Sequence, residues 1–292
     1  GLDAPGAIFI DKGKIRDVAK GQSGPHADAK ETLDAGGLCL APGLIDLRVK
    51  TGEPGDEQKE TLATASRAAV AGGVTSFVVM PDTRPTVDDV ALVRFIRERA
   101  RETARARIYP SGALTVGLGG EFMAEIGLMA DAGAIAFTNG DMPVANASIM
   151  KRAMVYAASR GALVMSRPDD RALSGSGVMN AGAFAARFGL SGIPAEAEWI
   201  GAARDVMLAE TTGCRLLLDQ VSTARTLEIV AEARARGAKV HATVAAHTLF
   251  FNERDVGDYL TYCKVNPPFR DEDTRQGLIA ALKRGEIDAV VS

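Results

Sequence analysis

The 292-residue sequence contains only three histidines and three cysteines, and their spacing builds no site. Cys39, Cys214 and Cys263 are odd in number and far apart, which argues against a disulfide framework and against a Cys-x-x-Cys zinc motif. Each lies beside apolar residues, so each is expected as a small buried hydrophobe. His26 falls in an N-terminal loop, while His241 and His247 fall around a late strand, and ordinary polar contacts are the expectation for all three. No nucleophile is paired with a base and an orienting third group. Gly72-Gly73 and Gly119-Gly120 are isolated pairs, for which turn and helix-end roles suffice, and no glycine-rich phosphate fingerprint opens a helix.

The elements that must position any chemistry alternate. Residues 7–17 read as two short strands around a Lys-Gly turn, and Gly37–Leu40 reads as a third. From Leu44 onward, short apolar runs alternate with helical periodicity. The strand candidates are Leu44–Val49, Thr75–Met80, Ile108–Ser111, Ala134–Phe137, Ala162–Ser166, Arg215–Leu218, Lys239–Val244 and Ile287–Val291. The intervening helices include Glu60–Ala71, Val90–Glu102, Ala147–Ser159, Ala195–Thr211 and Glu272–Arg284. This alternation over roughly 250 residues predicts an α/β fold, a (β/α)8 TIM barrel spanning 44–292, with a doubly wound open sheet as the alternative. Residues 1–43 are expected to form a small, partly represented β-subdomain, and the barrel to be clipped after its eighth strand.

Charge and hydropathy narrow the classes. The net charge is −3 with both signs interleaved, which predicts neither a nucleic-acid footprint nor a polybasic membrane patch. Apolar runs such as Val74 to Met80 are far too short to span a bilayer, and no secretory signal pattern opens the sequence. A cytoplasmic protein is the expectation.

Several motifs then fall in order. Ala41-Pro-Gly-Leu-Ile-Asp46 is similar to the lead into the first barrel strand of cyclic amidohydrolases. Glu53-Pro54-Gly55, Ala71-Gly-Gly-Val-Thr75, Met80-Pro-Asp-Thr83, Gly177-Val-Met-Asn180, Val221-Ser222-Thr223 and Lys264-Val-Asn-Pro-Pro268 resemble class I dihydroorotases over nearly the whole chain. The resemblance implies reversible cyclisation of N-carbamoyl-aspartate to dihydroorotate. One or two zinc ions would polarise the amide carbonyl and activate a water.

The metal positions that the resemblance implies are substituted. Where a His-x-His pair is expected after Asp46, the chain reads Arg48-Val49-Lys50. The bridging aspartate falls on Asn139, with Asp141 close by; the later histidines fall on Arg167 and Gln220. The catalytic aspartate expected after the eighth strand would fall beyond Ser292. On the substrate side, Gly52 stands for an arginine and Asp82 for an asparagine, where a carboxylate would repel an anionic substrate, while Asn266 matches. Charged guanidinium and ammonium groups cannot ligate zinc, so no bound metal or other cofactor is expected.

Arg48, Lys50 and Arg167 put about three positive charges where divalent ions would sit, so Asp46, Glu53, Asp82 and Asp169 are expected to pair with them in an internal network. An anion-binding mouth and a metal-free site with Lys50 as base are the alternatives. The expected function is that of a non-catalytic, dihydroorotase-like pseudoenzyme. The resemblance implies a scaffold partner of the aspartate carbamoyltransferase catalytic subunit in pyrimidine biosynthesis, itself a homo-oligomer. An active zinc dihydroorotase is the rival reading.

Overall fold

The computed structural model describes residues 4–21 and 28–292, so His26 lies outside the described residues. The chain divides into two compact units, Gly1–Pro42 and Gly43–Ser292. In the first, β1 (Gly6–Asp11) and β2 (Lys14–Lys20) pair antiparallel around Lys12-Gly13, both at positive φ. Gly37–Leu40 is not a strand: the Leu38 amide donates to the Ala35 carbonyl in a turn, and Leu38 and Leu40 are exposed.

The second unit holds a parallel eight-stranded sheet. Its strands are β3 (Leu44–Val49), β4 (Val74–Val79), β5 (Arg107–Ala113), β6 (Ala136–Thr138), β7 (Leu163–Ser166), β10 (Arg215–Leu218), β11 (Val240–Ala245) and β12 (Ala289–Val291). They run in chain order from β3 to β12. The edges nearly close: Ser292, just past β12, donates its hydroxyl to the Arg48 carbonyl of β3 at 2.9 Å. Helices α1 (Leu62–Ala71), α2 (Val90–Thr103), α3 (Ile126–Ala132), α4 (Ala147–Ser159), α7 (Ala195–Thr212), α8 (Ala224–Ala235) and α10 (Glu272–Lys283) follow strands as a (β/α)8 barrel requires.

Alternation along each strand builds two cores. On β4, Phe77 and Val79 pack into the large cluster shared with the helices, while Val78 packs in a smaller cluster with Met80, Ala136, Met165 and Leu217. β10 does the same, with Leu216 and Leu218 in the large cluster and Leu217 in the small one. A period of two therefore sends every second residue into the barrel interior. Continuing that parity past the strand ends puts Arg167, two residues after Met165, and Asp219, two after Leu217, at the C-terminal mouth of the interior.

Helix starts follow local chemistry. Thr61 and Thr64 form a reciprocal capping box on α1, and Asp89 and Asn146 cap α2 and α4. Between β7 and α7 the chain makes α5 (Arg171–Ser174), a two-stranded parallel pair β8 (Met179–Asn180) and β9 (Gly192–Ile193), and α6 (Ala183–Phe188). After β11 comes the short α9 (Ala246–Phe250). Of the cysteines, Cys214 is buried as expected, but Cys39 is exposed and Cys263 only partly covered. Cys39 lies among the exposed Leu38 and Leu40, which no packed element covers. Among the described residues no helix is long and apolar enough to cross a membrane.

Candidate active site

The barrel mouth holds an ion-pair network in which no cation has to be shared with a metal. Arg48 reaches it because β3 loses regular pairing between Asp46 and Val49, which turns the side chain inward. Its Nε donates to Asp219 Oδ2 and its Nη2 to Asp141 Oδ1, both at 2.6 Å. Arg167 Nη1 donates to the same Asp141 oxygen at 2.9 Å. Lys50 donates to Asp141 Oδ2 and pairs with Asp82 at 2.7 Å. Three cations thus meet three carboxylates. Asp141 is the hub, and Gly140 at φ 59° provides the turn after β6 that brings it there.

The electrostatics follow from this arrangement. Burial alone would raise the Asp141 carboxyl, but the Lys50 hydrogen bond and the charges of Arg48 and Arg167 outweigh it and hold it at about 2. Burial works against the charged Lys50, yet its bonds to Asp141 and Asp82 raise it above an ordinary lysine. That shift favours the protonated Lys50, a hydrogen-bond donor to Asp141 and Asp82 rather than a free amine. Burial pushes the Asp219 carboxyl up, against the pull of Arg48 and Thr243, whose hydroxyl donates to Asp219 Oδ1 at 2.9 Å.

The acids expected to neutralise the mouth are only partly the ones that do. Asp82 takes part, and its charge is occupied by Lys50. Glu53 instead pairs with Arg99 at 2.7 Å and accepts from the Leu62 amide, and Asp169 lies 3.7 Å from Arg171. Asp46 accepts the Arg48 backbone amide. Asp219 was missed; its signal was its place directly after the apolar run 216–218, at the C-terminal end of a barrel strand.

The other expected positions divide. Asn139 is buried away from the cluster, donating to Thr115 Oγ1 at 2.6 Å and accepting from the Thr115 amide. Gly52 has no space for a side chain, because a Cβ there would stand 2.2 Å from the Asp56 carbonyl oxygen. Gln220, at φ 53°, and Asn266 line a narrow cleft with Arg167, Asp169, Glu198 and Arg270. Buried Glu198 accepts from the amides and hydroxyls of Ser222 and Thr223 and from Thr226 Oγ1. Arg270 donates to Ser222 Oγ, Asn180 Oδ1 and the Ile193 carbonyl. The Val-Ser-Thr motif is thus a carboxylate clamp within the barrel wall.

A family model described as dihydro-orotase-like matches residues 37–226. The chain belongs to the dihydroorotase-like family. A dihydroorotase of Pelobacter propionicus is 40% identical over 292 residues, covering all of this chain and 68% of that protein. One from Pelotomaculum thermopropionicum is 43% identical over 286 residues, or 97% of this chain and 65% of that protein. Among solved structures, the L-hydantoinase (dihydropyrimidinase) of Arthrobacter aurescens superposes with a TM-score of 0.84 at 24% identity, over 98% of this chain and 65% of that one. At that identity the likeness bears on the fold alone. The chain spans about two thirds of the length of the relatives it matches.

These relatives overturn the expectation of a catalytically inactive scaffold. Proteins 40% and 43% identical across essentially the whole chain carry the name dihydroorotase. That reading took substituted ligand positions as loss of function, and the relatives do not support the step. The donor set nevertheless does not fit zinc. Arg48, Lys50 and Arg167 fill the mouth as charged donors, and among the described residues no three His, Cys, Asp or Glu side chains group to hold a metal. His241 sits against Asp288, and His247 against the Phe269 ring.

Proposed function

We propose that the protein is a dihydroorotase, adding water across the ring amide of dihydroorotate to give N-carbamoyl-aspartate, and running the cyclisation in reverse. The observation that carries this reading is the identity of about 40% over the full 292 residues to a protein named dihydroorotase. The barrel supports it, since its charged side chains gather at the C-terminal mouth, where barrel chemistry is built.

The chain's own groups define what they contribute there. Arg48, Lys50 and Arg167 are fixed around Asp141, and the half-exposed Lys50 is the one placed to favour negative charge, such as the oxygen that develops when an amide carbonyl is attacked. Asp141, held at about 2, stays ionised and positions all three. The cluster thus supplies charge stabilisation rather than proton abstraction, and no step is routed through zinc.

The test is turnover of dihydroorotate and of N-carbamoyl-aspartate by the full-length protein, with and without added zinc, followed by separation of the two acids. Turnover above the buffer blank in either direction supports the reading. No turnover in either direction under either condition overturns it.

A further inference from the structure

Three buried side-chain polar atoms among the described residues have no hydrogen-bond partner: Arg167 Nη2, Ser174 Oγ and His247 Nε2. Two belong to neutral groups, since burial lowers His247 and keeps its ring uncharged. Arg167 is different, because a guanidinium in a side chain only 4% exposed leaves one nitrogen unbonded while the other holds Asp141. Leaving a charged donor unpaired is the costlier defect, and buried donors in native proteins are almost always satisfied.

Arg167 lines the narrow cleft together with Asp169, Gln220, Asn266 and Arg270. Arg270 is already committed to three oxygen acceptors and lies 3.9 Å from Glu198. The Gln220 amide donates to the Ser292 carbonyl at 3.3 Å. Arg167 Nη2 is therefore a fully buried charged donor with spare capacity on this cleft. A guanidinium edge seeks a planar anionic oxygen, and a carboxylate is the group that matches it.

We propose that Arg167 is a carboxylate anchor: Nη1 is locked to Asp141, and Nη2 takes one oxygen of a ligand carboxylate in the cleft. The anchor deepens, and rests on, the dihydroorotase reading, because a carboxylate is what separates dihydroorotate from the uncharged ring dihydrouracil. It assigns to this strand end a role in holding substrate. It also explains why Gly52, with no space for a side chain, need not supply the arginine contact that the sequence lacks.

Titration calorimetry on the full-length protein tests this, using dihydroorotate, dihydrouracil and succinate against the native chain, Arg167→Gln and Arg167→Lys. The native chain should bind dihydroorotate about 10- to 100-fold more tightly than dihydrouracil, the worth of one charge-assisted hydrogen bond. Arg167→Gln should erase that ratio, and Arg167→Lys should restore part of it. If Arg167→Gln folds and keeps the ratio, the anchor is overturned while dihydroorotate binding still stands. If the native chain binds neither ring but binds succinate through Arg167, the anchor holds and the dihydroorotase reading fails. Should Arg167→Gln not fold, Arg167→Lys and the native ratio decide; equal affinity of the native chain for the two rings overturns the anchor.

Discussion

Arg48 and Asp219 meet at 2.6 Å although 171 residues separate them in the chain, and both side chains are at least 95% buried. The contact ties the first strand of the barrel to the sixth. A buried pair of this kind adds little over an apolar pair of the same volume, but removing one partner strands a charge. Arg48→Met should therefore destabilise the protein by about 3–5 kcal/mol, and Arg48→Met with Asp219→Leu should recover most of that loss. Urea unfolding of the two variants and the native chain measures both. A double variant no more stable than the single one would count against the pairing.

Asp141 sets the acid limit of the network. Its folded value of about 2 lies below the ordinary 3.8, so its stabilisation is complete above about pH 4 and is lost as pH falls toward 2. Asp141→Asn should be less stable than the native chain at neutral pH, with the difference shrinking as pH falls below about 4. The side chain is partly exposed, so direction and window are the test rather than size. Unfolding midpoints from pH 7 downward check this, and a gap that widens toward acid would refute it.

The barrel was legible because strand and helix periods alternate cleanly, and the two-residue parity that places Arg167 at the mouth is written in Val164-Met165-Ser166. The site was legible only in part. Asp46 and Glu53 are close in sequence to Arg48 and Lys50, yet the backbone of Arg48 claims Asp46, and Arg99 of α2 claims Glu53. Asp219 becomes a partner only when the sheet brings β3 and β10 into one interior. Such pairings depend on strand register, which no local motif encodes. The short α5 to β9 excursion was unreadable for a similar reason, since two-residue strands carry no period.

Glu198 offers a sharper mutational contrast than the mouth. Its carboxylate receives two backbone amides and three hydroxyls, all buried, at the start of α8. Glu198→Ala strands those donors and should cost about 3 kcal/mol or more, whereas Glu198→Gln keeps some of the acceptors and should cost less. Thermal melts of both variants check the order. Equal losses would mean that packing, not hydrogen bonding, decides.

The cysteines give a chemical readout of burial. Cys214 is pushed up to about 11 by burial, so at pH 8 roughly one part in a thousand is thiolate. Cys39 is exposed. A thiol reagent at pH 8 should label Cys39 rapidly in the folded protein and Cys214 only after denaturant is added, with peptide mapping to assign the sites. Because the thiolate is the nucleophile, rapid native labelling of Cys214 would require the start of β10 to open far more often than a packed barrel wall allows.

Gly52 shows why a missing arginine cannot simply be put back. Its amide donates to the Glu60 carbonyl and its carbonyl accepts from the Asp56 amide, closing a tight turn. A Cβ would meet the Asp56 and Glu60 carbonyl oxygens at 2.2 and 2.8 Å, backbone atoms that a rotamer change cannot move. Gly52→Arg should therefore lower the melting temperature by several degrees, since overpacking of this kind costs about 1–3 kcal/mol. It should also leave dihydroorotate affinity no better than in the native chain. Tighter binding in a stable Gly52→Arg protein would mean that the turn yields, and that the carboxylate is held from the turn after β3 rather than from Arg167.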